Sequence, residues 1–212
     1  MGLAVFVFND ANCFALAEAA SGSGRGHENV LAVILGSGVG GAQVVGGRVI
    51  DGAGGVAGEW GHGTILATRF GAPPQDLPHF ACGCGRKGCV NTVGGARGLE
   101  ALHRALTGAA STSREIVARW KKREAAEART VAAYMELVGQ PLAYAVNITG
   151  AAIVVAGGGL ATDAAFVAAL DAAVRERILR RTAQPLVVPS RHAAEAGLAG
   201  AAIAGFEALG HG

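Results

Sequence analysis

The sequence predicts an α/β fold, and three observations carry that expectation. Short apolar runs of strand length alternate with longer stretches of helical periodicity, and glycine-rich turns stand where the apolar runs stop. A hydrophobic content of 51% over 212 residues supplies ample material for a sheet buried under helices. Charged residues make up only 16% of the chain and the formal net charge is +2, so charge suggests neither disorder nor a nucleic-acid or anionic-membrane partner. No run of 18 apolar residues escapes interruption by glycine or charge, and the first residues lack a signal peptide's basic start and small-residue cleavage site. A cytoplasmic location without a membrane partner is therefore the default expectation.

Taken in order, residues 3–8 (LAVFVF) read as a buried strand and ANCFALAEA as the helix that follows. Asn9 and Asp10 then stand at a strand's carboxyl end, where α/β proteins place their chemistry. SGSGRGHEN is a polar loop, residues 30–35 are a second strand, and AQVVGGRVI alternates around Gly46 and Gly47 as a hairpin does. Residues 51–95 have little periodicity but many Gly, Pro, Cys and His, and a segment of that length needs its own fastening. Helical periodicity returns in ARGLEALHRAL, in SREIVARW and over residues 123–146, with Pro141 expected to kink the last of these. Residues 152–156 read as a buried strand ending in Gly157-Gly158-Gly159. A helix over 163–179, a short strand over 185–188 and an alanine-rich helix over 194–209 complete the chain, and no repeat or flexible linker divides it.

Two constellations carry chemistry. Cys82, Cys84 and Cys89 fall within eight positions of a glycine-rich loop, which in a reducing compartment argues for metal ligation over disulfides. Tetrahedral zinc needs a fourth donor, and His62 in GEWGH is the better candidate, with His79 beside Pro78 as its rival. Such a closed set leaves no position for substrate, so the metal would orient neighbouring polar groups, which draws in Glu59 and Asn91. Cys13, alone in an apolar helical stretch, reads as a packing residue. The second constellation is glycine: Gly36-Ser37-Gly38-Val39-Gly40-Gly41 matches G-x-G-x-x-G, but a hairpin follows it where a dinucleotide fold requires a helix. A turn of this kind can still cradle phosphates with its backbone N–H groups. Gly157, Gly158 and Gly159 lie between a strand and a helix, where backbone can approach a flat ligand or a phosphate, or can simply pack closely.

In their order and spacing, NDAN at residues 9–12, GSGVGG, GEWGH, CGCGRKGC and the late AGGGL resemble the ROK family of repressors, open reading frames and sugar kinases, over nearly the whole chain. The resemblance implies an actin-like, ribonuclease H-like ATPase fold with two lobes around a cleft. This chain corresponds to the large lobe, residues 1–212, with a zinc loop at about 59–93 and a returning terminal helix. It implies Asp10 as general base toward the sugar's 6-hydroxyl, and Asn9, Glu59, His62 and the position of Asn91 as sugar contacts. Gly36, Ser37, Gly38, Gly40 and Gly41 would hold ATP phosphates and Gly157, Gly158 and Gly159 the adenosine. His62, Cys82, Cys84 and Cys89 would hold a structural zinc, ATP with Mg²⁺ would be co-substrate, and a homodimer is expected.

Two departures qualify what the resemblance implies. The family carries Glu or Asp two positions after the last cysteine, where this chain has Asn91, and the family's Asp-x-Gly-x-Thr phosphate loop on a first strand has no counterpart here. The chain alone is therefore expected to be a poor kinase with an exposed apolar face. N-acetylglucosamine is the favoured substrate, with glucokinase, fructokinase and a non-catalytic sugar-binding protein as alternatives. A zinc-ribbon nucleic-acid binder is disfavoured, because paired CxxC knuckles are missing.

Overall fold

A strand buried on both faces reads as an unbroken apolar run, and VLAVIL at residues 30–35 has that composition. In the computed structural model, which describes residues 5–67, 69–71, 73–192 and 195–210, this run lies in β1 (Asn29–Leu35) at the centre of a mixed five-stranded sheet. The strand order is β3 (Arg48–Val49), β2 (Val39–Val45), β1, β6 (Ile153–Gly157), β7 (Val187–Pro189). β2 runs antiparallel to β1 and β3, whereas β6 runs parallel to β1 and β7. The expected hairpin turns at Gly46 and Gly47, both at positive φ, as a two-residue turn of this hand requires. A separate ribbon, β4 (Arg69–Phe70) with β5 (Gln75–Asp76), lies in the long irregular segment.

Because side chains alternate across a strand, β1 serves two cores. Leu31, Val33 and Leu35 pack toward α3 (Ala96–Thr107), α5 (Ala125–Thr149) and α6 (Ala164–Arg175), with α4 (Ser113–Lys121) completing that layer. Val30 and Ala32 pack on the opposite face with α1 (Asp10–Ser21) and α7 (Ala196–Ala208). α2 (Asn91–Gly94) is a single turn leading into α3. α7 lies so close to α1 that a Cβ at Gly200 would stand 1.7 Å from the Cys13 carbonyl oxygen. Leu198, Phe206 and Leu209 face solvent from α7 and the turn after it.

α1 is tied to the sheet's far end by Glu18, which is fully buried. Its Oε2 accepts from the Ser23 N–H at 2.8 Å, and its Oε1 accepts from the N–H groups of Arg191 at 3.0 Å and His192 at 2.8 Å. One side chain thus satisfies three backbone donors in two loops far apart in sequence, the loop after α1 and the loop after β7.

Two expectations differ from the structure, and Pro141 leaves its helix unbroken. Residues 5–8 form no strand and are exposed, Val5 by 82% and Val7 by 91%, while residues 3 and 4 lie outside the described residues. An apolar run becomes a strand only where a sheet edge takes its amides, and neither β3 nor β7 pairs with it. Pro141 stands inside the continuous helix α5, where Leu137, Val138, Leu142 and Val146, buried on both sides of it, hold the helix together through packing. α6 ends at Arg175, short of 179, where the Arg177 guanidinium caps the Ala173 carbonyl at 2.6 Å. No helix among the described residues is long and apolar enough to cross a membrane.

Candidate functional site

β1 and β6 are parallel neighbours with Ile34 opposite Gly157, so both glycine motifs emerge at the edge formed by the carboxyl ends of these strands. Gly36–Gly41 makes the turn into β2, and Gly157–Gly159 leads from β6 into a short 3₁₀ turn. The two are in contact: Gly158 has φ +86°, and a Cβ there would stand 2.5 Å from the Leu35 carbonyl carbon. Close packing therefore accounts for Gly158, while a Cβ at Gly159 would meet nothing within 4 Å, so packing does not require glycine there. Beside this edge a cavity of about 310 Å³ lies between α4 and the start of α6. Arg114, Val117, Ala118 and Lys121 line it from α4, at the spacing of one helical face, and Leu160, Thr162 and Asp163 line it from the other side. Asp163 caps α6 and pairs with Lys121 across the cavity mouth. Desolvation pushes the Asp163 carboxyl up, but Lys121 and the N–H groups of Phe166 and Ala165 together hold it below its ordinary range.

The NDAN motif meets the same edge. Asn9, and not Asp10, is the cap of α1, its Oδ1 accepting from Ala11 N at 2.9 Å and Asn12 N at 3.2 Å. Asp10 is the first helical residue and is exposed; one of its oxygens accepts from Ala11 N at 2.8 Å. Ala11 lies against the glycine turn, since a Cβ at Gly40 would touch its methyl at 3.9 Å. GEWGH closes on the turn from another side: the Trp60 indole N–H donates to the Gly40 carbonyl at 3.0 Å. Only a glycine at 41 leaves room for that ring, as a Cβ would come within 2.7 Å of it. Sequence reasoning missed Trp60 as a link, and the Lys121–Asp163 pair as well.

His62, Cys82, Cys84 and Cys89 bring one donor atom each to within 4.8 Å of one another. The Cys84 and Cys89 sulfurs are 3.7 Å apart, and Cys82 Sγ is 3.7 Å from His62 Nδ1. Tetrahedral bonds of about 2.3 Å would put sulfurs about 3.75 Å apart, so the donor set fits a four-coordinate ion. His79 is turned away, its Nε2 3.3 Å from the Ala67 carbonyl, which leaves His62 as the fourth donor. The backbone N–H of Arg86 and the neighbouring Cys82 hold the exposed Cys84 thiol down at about 6, whereas burial pushes Cys89 up to about 11. The remaining ring nitrogen of His62, Nε2, faces Glu59 Oε2 at 3.7 Å. Asn91 turns inward, its Oδ1 accepting from Val39 N at 2.7 Å and its Nδ2 3.9 Å from Cys82 Sγ. Cys13 is buried in α1, as its apolar surroundings imply.

The structure thus gathers Ala11 of the NDAN motif, the glycine turns, GEWGH and the cysteine loop along this edge through direct contacts, with Asp10 beside Ala11 at the start of α1. The sequence profile of the ROK family matches residues 1–205. The chain is 33% identical over 199 residues to an N-acetyl-D-glucosamine kinase of Pectobacterium carotovorum, covering 94% of this chain and 66% of that protein. It is also 33% identical over 208 residues to an N-acetylgalactosamine kinase of a Shewanella species, covering 98% and 65%. Among solved structures, a ROK hexokinase from Thermus thermophilus superposes with a TM-score of 0.83 at 34% identity, over 98% of this chain and 66% of that one. The chain therefore spans 66% of the length of the first of these curated relatives. The profile match over 1–205 and the likeness to the Thermus structure place this α/β chain, with its actin-like mixed sheet, in the ROK family.

Proposed function

We propose that this chain carries sugar- and nucleotide-binding parts of an ATP-dependent kinase acting on the 6-hydroxyl of a hexose or hexosamine, N-acetylglucosamine first among them. Asp10 carries the reading: it is an exposed carboxylate at the start of α1, and the residue after it packs on the glycine turn. A sugar hydroxyl bound there bonds to the γ-phosphorus as the P–O bond to ADP breaks, and Asp10 takes the hydroxyl proton. Phosphoryl transfer of this kind is mostly positioning and charge stabilisation, with Mg²⁺ accompanying the phosphates. Asn9 spends its carbonyl oxygen on the helix cap and keeps its amide N–H groups for ring hydroxyls, with Glu59 and His62 as further sugar contacts. Relatives named for N-acetyl-D-glucosamine and N-acetylgalactosamine support a 2-acetamido sugar. A homodimer belongs to the same reading and is supported by an apolar groove of about 520 Å³ along α5, flanked by exposed Leu66, Tyr144 and Ile148.

The test is a coupled ADP-release assay over N-acetylglucosamine, N-acetylgalactosamine, glucose and fructose, with slow release expected of this chain alone and N-acetylglucosamine the fastest. Sugar binding without sugar-dependent ADP release would instead favour the non-catalytic reading. We also assign zinc to His62, Cys82, Cys84 and Cys89, a closed set that holds the loop and performs no hydrolysis. About one zinc per chain is expected by elemental analysis, in keeping with a single four-ligand site. Cys84→Ser should lose most of it, because three donors remain and one thiolate is gone. Full zinc retention in Cys84→Ser would refute the assignment.

A further inference from the structure

The family resemblance places a carboxylate at the position of Asn91, and the structure gives the amide found there a use that a carboxylate could not serve. Asn91 stands two residues after Cys89, at the start of the single turn α2. Its side chain reaches between two elements. On one side Oδ1 accepts the Val39 N–H at 2.7 Å, the first amide of β2 and part of the glycine turn. On the other, Nδ2 lies 3.9 Å from the sulfur of Cys82, one of the four clustered metal donors. The assignment of oxygen and nitrogen follows from the network: Val39 N–H can only donate, so the oxygen must face it and the NH₂ must face the sulfur.

The seat is shaped for this side chain. A Cβ at Gly38 would stand 2.4 Å from Asn91 Oδ1, so the turn accommodates the amide only with glycine there. Asn91 also follows Cys89 within a well-anchored turn, because the Tyr134 hydroxyl donates to the Gly94 carbonyl at 2.6 Å in the buried core. Three thiolates and a neutral histidine around a divalent ion leave a net negative site, and an N–H directed at a ligand sulfur stabilises that charge. Aspartate in the same seat could still accept from Val39 but would turn its second oxygen, an acceptor without a proton, toward the thiolate.

We infer that Asn91 is a positioning residue that couples the metal loop to the phosphate-side glycine turn, donating to the Cys82 thiolate and accepting from Val39. This rests on the zinc reading given above. Occupancy of the cysteine cluster then sets the start of β2, and through it the turn at residues 36–41, in addition to the sugar-side loop.

The experiment measures Zn²⁺ affinity by competition with a chromophoric chelator, together with the sulfur-to-metal charge-transfer band of the Co²⁺-substituted chain. Asn91→Asp, close in size and retaining the Val39 contact, should bind Zn²⁺ about tenfold more weakly, the usual scale for loss of a partner to a metal ligand, and should shift the band. Gly38→Ala alters neither Asn91 nor a metal ligand but displaces the amide by steric contact, and it should weaken zinc in the same direction. It also serves if Asn91→Asp fails to fold. Amide exchange at Val39 adds a readout of coupling: removing zinc should speed it in the unaltered chain and leave it unchanged in Asn91→Leu. If the unaltered chain binds no zinc, the metal reading fails and takes this inference with it. Should the unaltered chain bind zinc and Asn91→Asp bind it equally tightly with an unshifted band, the coupling alone is overturned. A fall in sugar affinity with zinc affinity intact would assign Asn91 to the sugar instead.

Discussion

Asp10→Asn should lower sugar-dependent ADP release by about 10²- to 10⁴-fold, the range over which a positioned general base accelerates proton transfer. The expectation is clean because the fold separates two duties that adjacent residues could have shared. Asn9 caps α1, and Asp10 adds only one contact there, from the Ala11 N–H to one of its oxygens, which an amide oxygen can also accept. Its replacement by an amide of the same shape removes the proton acceptor and leaves the backbone contacts of the helix in place. Binding of N-acetylglucosamine and of a non-hydrolysable ATP analogue should stay within about threefold, since general-base action is felt in the transition state rather than in ground-state binding. Asn9→Ala is the complement: it should cost about 1 kcal/mol of stability through the lost cap. A rate for Asp10→Asn within threefold of the unaltered chain would show that Asp10 is not the base.

What could be read in the sequence, and what could not, divides by the range of the interaction. β1 was legible because a strand covered on both faces must be apolar at successive positions, and the hairpin because Gly46 and Gly47 permit positive φ. The cysteine cluster was legible because thiols at short spacing in a glycine-rich loop have few other uses, and the structure brings their sulfurs together with His62. Contacts between residues distant in sequence left no local signal. The pairing of Lys121 with Asp163, the indole of Trp60 on Gly40 and the amide of Asn91 on Val39 all depend on how the layers meet. Residues 5–8 show the same limit from the other side. Their strand-like composition is real, but pairing is a property of a neighbouring edge, and the sheet supplies none to them.

Glu18→Ala should be the most destabilising single substitution in the α1 layer, by about 3–4 kcal/mol, lowering the thermal midpoint by about 10 °C for a chain of this size. The side chain is fully buried, and its two oxygens are the acceptors for the N–H groups of Ser23, Arg191 and His192. Alanine orphans all three donors at once and opens a cavity. A donor left unmade costs about 1–3 kcal/mol when buried, and the partial exposure of these three, with relaxation of the two loops, keeps the total below the sum. Glutamine keeps one acceptor oxygen but turns an NH₂ toward N–H groups, so Glu18→Gln should fall between the two, at about half the loss. Thermal unfolding followed by far-UV circular dichroism reads the series, and a midpoint for Glu18→Ala within about 2 °C of the unaltered chain would sink the claim. The consequence reaches the proposed chemistry because Glu18 and Asp10 share one helix. With the carboxylate gone, α1 keeps its packing against α7 and the Ser21 hydroxyl's contact with the His192 ring at 2.8 Å, but loses its buried anchor to the loop beyond β7. Asp10 then samples more positions relative to the glycine turn, and sugar-dependent ADP release should fall at temperatures where the variant is still folded.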